Sequence, residues 1–201
     1  MGKATQRRTM DAFNYLAVMV SVVVGLGLTQ ILAGVGNFVQ IRRRVKFYWL
    51  HGVWVVLLIA LHLHMWWSFW LLRVVTDWTY GLFVFVLIGP AALVIASHVI
   101  VPELIDGRID VERHYFDTRG IFFGMLACAG VWAMFIEPLT GVRTFFVGFR
   151  MLQVVGTSLM IGCAILESRR FHAIATGAIC VLFVIAVGFT RLHLGQIEPR
   201  L

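Results

Sequence analysis

VFVLIGPAALVIASHVIV, residues Val84 to Val101, carries no formal charge and shows no alternation of apolar and polar residues. A barrel strand would alternate lipid-facing and lumen-facing positions over about ten residues, and a surface helix of a soluble protein would carry a charged face. This run does neither. It reads as a helix crossing lipid, because lipid satisfies no backbone amide and only a helix pairs all of its own within one segment.

The same pattern continues to both sides. Apolar segments at 13–39, 47–72, 79–101, 121–135, 144–165 and 171–194 are separated by polar breaks. They predict an all-α, polytopic integral membrane bundle of six transmembrane helices, a single domain over residues 1–201. One longer polar loop, 102–120, separates helices three and four. Composition agrees: the chain is 60% hydrophobic and 13% charged, far from the roughly 45–50% and 25% of soluble domains. That excludes a globular soluble enzyme, a coiled coil and a disordered chain. The first apolar stretch is too long for a signal-peptide core and lacks a small-residue cleavage site, so it reads as a span. Gln6 stands where a myristoylation motif needs Ser or Thr.

The net charge of +7 falls in short segments between the apolar runs. This pattern points to anionic lipid headgroups and topology rather than to nucleic acid. Arg42, Arg43, Arg44, Lys46, Arg108, Arg113, Arg119, Arg169 and Arg170 lie on one side. That face and the long loop are expected in the cytoplasm of a bacterial inner membrane, with both termini outside. On helix two, Phe47, Tyr48, Trp49 and Trp54 form one expected aromatic belt, and Trp66, Trp67, Phe69 and Trp70 the other. Cys128, Cys163 and Cys180 each fall inside an apolar run without a CxxC pair and read as small packing residues.

Polar residues inside spans are costly, so they are the first candidates for function. His62 and His64 lie near the middle of helix two but on opposite faces, since two residues turn a helix by about 200°. With Gln30 of helix one they are candidates for a polar pathway. Arg150 and Gln153 share a stripe on helix five with Thr157, at the depth of Glu137 and Arg191. Glu137 and Arg150 are expected as a buried ion pair, or alternatively Arg150 and Arg191 as the lining of an anion-attracting vestibule. His51 and His98 fall at one depth on neighbouring helices, about 12–13 Å from the midplane at 1.5 Å per residue. They could ligate a b-type haem, and with His172 and a carboxylate they could hold a transition metal.

Helix one carries two small-residue stripes, Ser21, Gly25, Thr29 and Gly36 on one face and Gly27, Gln30, Gly34 and Asn37 on the other. Close packing on both faces predicts a homo-oligomer. The sequence contains no HExxH, G-x-S-x-G or nucleotide loop and no paired carboxylates within a span. The leading expectation is therefore a small oligomeric channel or transporter for an ion or small solute, rather than an enzyme. The alternatives are a haem- or metal-binding redox protein and an accessory subunit of a larger membrane complex.

Overall fold

The computed structural model describes residues 2–102, 109–142, 144 and 149–189. It contains helices α1 (Gly2–Gln40), α2 (Trp49–Ser68), α3 (Tyr80–Val99), α4 (Val111–Leu139), α5 (Arg150–Ile165) and α6 (Arg169–Phe189). Two short strands, β1 (Val45–Lys46) and β2 (Ile109–Asp110), pair in parallel. A 3-10 turn, Phe69–Val74, extends α2.

Five of the helices are long and apolar enough to cross a membrane: α1 from Ala12, α2 with its extension, α3, α4 and α6 to Gly188. The sixth, α5, has 16 residues, about 24 Å of rise against a hydrocarbon core of roughly 30 Å. The six expected spans therefore reduce to five of full length and one shorter apolar helix. Boundaries also move. The expected fourth span at 121–135 begins ten residues earlier, so much of the expected loop is helix. Asp110 accepts from the Arg113 amide at 3.1 Å and starts α4. In the first turns Val111 and Tyr115 are buried while Arg113 and Asp117 pair on the outer face.

Successive helices alternate in direction, as their end contacts show. At the end nearest Arg42–Arg44, His51 of α2 meets the carbonyl of Ile100, and His114 of α4 meets that of Val99. Ion pairs Arg119–Glu167 and Arg169–Glu112 tie α4 to the loop before α6 and to α6 itself. Lys46 bonds Asp110 across the strand pair at 3.0 Å. That bond and the Arg113 amide hold the Asp110 carboxyl below the usual carboxylate range. The tie is thus intact at neutral pH and is lost only as pH falls through the depressed value. At the opposite end Phe13 meets Trp70, Tyr15 meets Phe83 and Phe69 stacks on Trp132.

Helix α2 packs against α1, α3, α4 and α6. Its residues His51, Trp54, Leu58 and His62 recur at helical spacing and are buried, while Trp49, Val56, Leu63 and Trp66 form its outward stripe. Trp54 and Phe69 are therefore core residues rather than belt residues. Trp54 packs on Phe122 and Phe123 of α4 and donates its indole hydrogen to Thr176 of α6. Cys128 faces outward, unlike the buried Cys163.

Helix–helix distances are set at glycines. A Cβ at Gly27 would collide with the His62 ring, at Gly89 with Trp132, and at Gly130 with Thr157. Gly34 likewise seats Val101. Of the two stripes on α1, the Gly27/Gly34 face is used inside the chain, and the Ser21/Gly36 face is exposed. α3 runs through Pro90 without interruption. Replacing Gly89 with leucine should lower stability by about 1–3 kcal/mol, the usual cost of overpacking. The same change at Gly25, which has open space around it, should cost little. Thermal unfolding of the two variants in detergent, followed by circular dichroism, checks this.

Candidate functional site

A cavity of about 270 Å³ opens between α2, α4, α5 and α6, near the roughly 300–1,000 Å³ of small-molecule sites. Its walls are Leu57–Leu72 positions of α2 and its extension, Leu93 of α3, Leu126–Glu137 positions of α4, Phe149–Met160 positions of α5 with its N-cap, and Ile179–Ala186 positions of α6. Most of this lining falls in the half away from Arg42–Arg44, with Leu57, Leu93 and Met160 just past the middle of their helices. The other half is filled by Trp54, Phe122, Phe123 and Tyr115. The lining is mostly apolar and aromatic, with Phe69, Trp132, Phe149 and Phe183 among it. Five polar side chains interrupt it: His64, Ser68, Glu137, Gln153 and Thr157.

The polar end of this cavity is built by the start of α5 and the end of α4. Arg150, the first residue of α5, is buried and donates to Oε1 of Gln153 at 2.7 Å and to the carbonyl of Ala133 at 3.4 Å. Its second terminal nitrogen lies 3.7 Å from Oε2 of Glu137. Glu137 and Gln153 face the cavity, and Arg150 sits behind them. The expected Glu137–Arg150 pair is present. Arg191, the expected third member, lies outside the described residues. Thr157, one turn deeper on α5, is seated against Gly130.

His62 and His64 point apart, as their spacing requires. His62 is fully buried; its Nδ1 donates to the Leu58 carbonyl and its Nε2 lies 3.4 Å from Ser97 Oγ of α3. It belongs to the α1–α2–α3 packing and not to the cavity. His64 lines the cavity, with its ring edge-on to Phe183 of α6. Gln30 is half-buried on α1, outside the cavity lining. The three candidates for a polar pathway thus lie in separate environments, as the opposite faces of His62 and His64 require. Ser68 lies one turn after His64, on the same face, so α2's period of 3.6 could have found it.

The expected haem or metal ligands are not gathered. His51 is buried, with Nε2 at 2.7 Å from the Ile100 carbonyl. His98 is exposed and bonds the Val94 carbonyl of its own helix. His172 is enclosed by Tyr115, Phe116 and Phe123. Its Nε2 donates to the Leu166 carbonyl at 2.8 Å, leaving Nδ1 to accept from the Tyr115 hydroxyl at 2.9 Å. Among the described residues no three His, Cys, Asp or Glu side chains lie close enough to hold a metal ion. Equal depth brought these histidines to one level, but their helix faces separate them.

Comparison with protein-family models, with curated proteins and with solved structures returns no match. Function must therefore be argued from the cavity itself. Removing one member of its ion pair leaves the other charged and buried, at a cost of about 3–5 kcal/mol. Arg150→Met alone should destabilise by that order, and Glu137→Leu combined with it should restore most of the loss. A double-mutant cycle on thermal unfolding in detergent measures both.

Proposed function

We propose that the chain is a membrane carrier for a small amphiphilic solute, bound in the cavity between α2, α4, α5 and α6. The observation that carries this reading is the one-sidedness of the cavity: most of its lining lies in the half of the bundle away from Arg42–Arg44, reaching only to Leu57, Leu93 and Met160 near the middle of their helices, and packed aromatic rings fill the other half. A continuously open channel needs a polar path through both halves. A carrier instead exposes its site to one side while the other is sealed, and alternates between two such arrangements. The apolar wall favours a solute with a hydrocarbon or aromatic body over a bare ion, and the polar side chains along it solvate a head group. The outward small-residue face of α1 supports a homo-oligomer as part of the same proposal, and the cationic Arg42–Arg44 turn supports a bacterial inner-membrane setting with that side in the cytoplasm.

Gly156 supplies the critical variant. It lines the cavity, and no atom lies within 4 Å of where its Cβ would sit. Gly156→Leu therefore fills the site without a clash. Liposomes containing the protein should take up hexyl glucoside faster than empty vesicles, and Gly156→Leu should slow that uptake at least several-fold. Sodium, chloride and proton fluxes should stay at the level of empty vesicles. Ion conductance that Gly156→Leu leaves intact would overturn the carrier reading in favour of a channel elsewhere in the bundle.

A further inference from the structure

The histidines divide into two groups by what their rings touch. Among the six described, His51, His62, His98, His114 and His172 each place a ring nitrogen at a main-chain carbonyl, of Ile100, Leu58, Val94, Val99 and Leu166 respectively. Each is thereby held by the protein. His64 is the exception: among the described residues its ring nitrogens have no hydrogen-bond partner, and its only ring contact is edge-on to Phe183. Its ring nitrogens are not among the fully buried, unpartnered atoms, so they open onto accessible space, where a bound molecule can supply the hydrogen bond that the protein does not. The atoms it faces are those of the cavity.

Charge then selects among head groups. The cavity's one carboxylate, Glu137, is matched by Arg150 at 3.7 Å, and Arg150 is further held by Gln153 at 2.7 Å. The pair is neutral in sum. A cationic head would have to take Glu137 from Arg150, and an anionic head would have to take Arg150 from Glu137 and Gln153. Either exchange strands a buried charge. An uncharged head that both donates and accepts meets no such penalty. Neutral imidazole offers one N–H and one bare nitrogen, which complements a hydroxyl on both counts.

We infer that His64 is the residue that recognises the solute's head group, and that the solute is an uncharged amphiphile bearing a hydroxyl or an equivalent donor–acceptor oxygen. This assignment rests on the cavity being the solute site. The aromatic wall made by Phe69, Trp132, Phe149 and Phe183 holds the body of the molecule. Ser68, whose hydroxyl donates to the His64 carbonyl at 2.8 Å, ties the end of α2 at that point.

Four probes with one body test the inference: 4-phenyl-1-butanol, 4-phenylbutyrate, 4-phenylbutylammonium and butylbenzene. They are titrated calorimetrically into the detergent-solubilised full chain, with empty micelles subtracted. In the unaltered protein the alcohol should bind about tenfold more tightly than any of the other three. His64→Phe should reduce alcohol affinity about tenfold, to the level of butylbenzene, whose affinity should not change. His64→Gln, which keeps a donor and an acceptor, should retain part of the alcohol's advantage. Tighter binding of either charged probe by the unaltered protein overturns the inference. So does an alcohol-to-butylbenzene ratio that His64→Phe and His64→Gln both leave unchanged, or the absence of binding by all four probes. Gly156→Leu separates the two layers of the argument. If it abolishes binding while the histidine variants have no effect, the cavity reading stands and the His64 assignment falls. If alcohol binding survives Gly156→Leu, the solute is held elsewhere and both fall.

Discussion

Within lipid there is no water to drive helices together, so a bundle's geometry is set by how closely backbones can approach and by the few polar contacts between them. In this protein the approach is governed by glycines that receive a large side chain from a neighbour. Gly27 receives His62, Gly89 receives Trp132 and Gly130 receives Thr157. These three contacts join α1 to α2, α3 to α4 and α4 to α5. They hold α4 tight against both its neighbours, and Gly162 of α5 likewise receives Phe171 of α6, leaving a space among α2, α4, α5 and α6 away from Arg42–Arg44. The cavity occupies that space.

The two ends of the bundle are held by different means. Near Arg42–Arg44 the connections are polar and numerous: carbonyl-bonded histidines, a short parallel strand pair, and ion pairs from Lys46, Arg119 and Arg169. Each exposed pair contributes little by itself. Together with the buried Trp54–Thr176 and Tyr115–His172 bonds, they place several inter-helix connections in one half. In the other half the polar ties are fewer: the Trp132 indole donates to the Phe85 carbonyl, the Trp66 indole to Ser21, and Arg150 joins α5 to the Ala133 carbonyl and to Glu137. Under the proposed carrier function, this difference between the two halves would let the half around the cavity move while the other stays tied.

The helical class was legible because uninterrupted apolar runs such as that around Gly89 leave no other way to satisfy the backbone. What misled was local charge. Glu112, Arg113, His114, Asp117 and Arg119 resemble a loop in composition, yet Val111, Tyr115 and Phe122 recur at helical intervals on the buried face, and the charges project outward or pair. Aromatic residues misled in a similar way. Trp54 is chemically suited to a headgroup belt, but its position between His51 and Leu58 places it on the inward stripe of α2. For the histidines, depth was readable at 1.5 Å per residue and azimuth was readable within one helix, which is why His62 and His64 separate as expected. Azimuth between helices depends on the tertiary packing itself. His51 and His98 share a level and nothing more.

The Glu137–Arg150 pair bears on why the cavity is polar at one end at all. A buried ion pair is a weak source of stability, since apolar residues of similar volume often serve as well or better. Here the pair lies at the end of the cavity built by the start of α5 and the end of α4, with Arg150 held by Gln153 and the Ala133 carbonyl. That arrangement presents acceptor and amide groups to the cavity while cancelling net charge, so polar groups can enter without a counter-ion. At the far end His64 offers a hydrogen-bonding nitrogen close to the midplane. Under the proposed carrier function, a head group moving between these two places would exchange one set of neutral-in-sum polar partners for another, supplied by side chains from α2, α4 and α5 together.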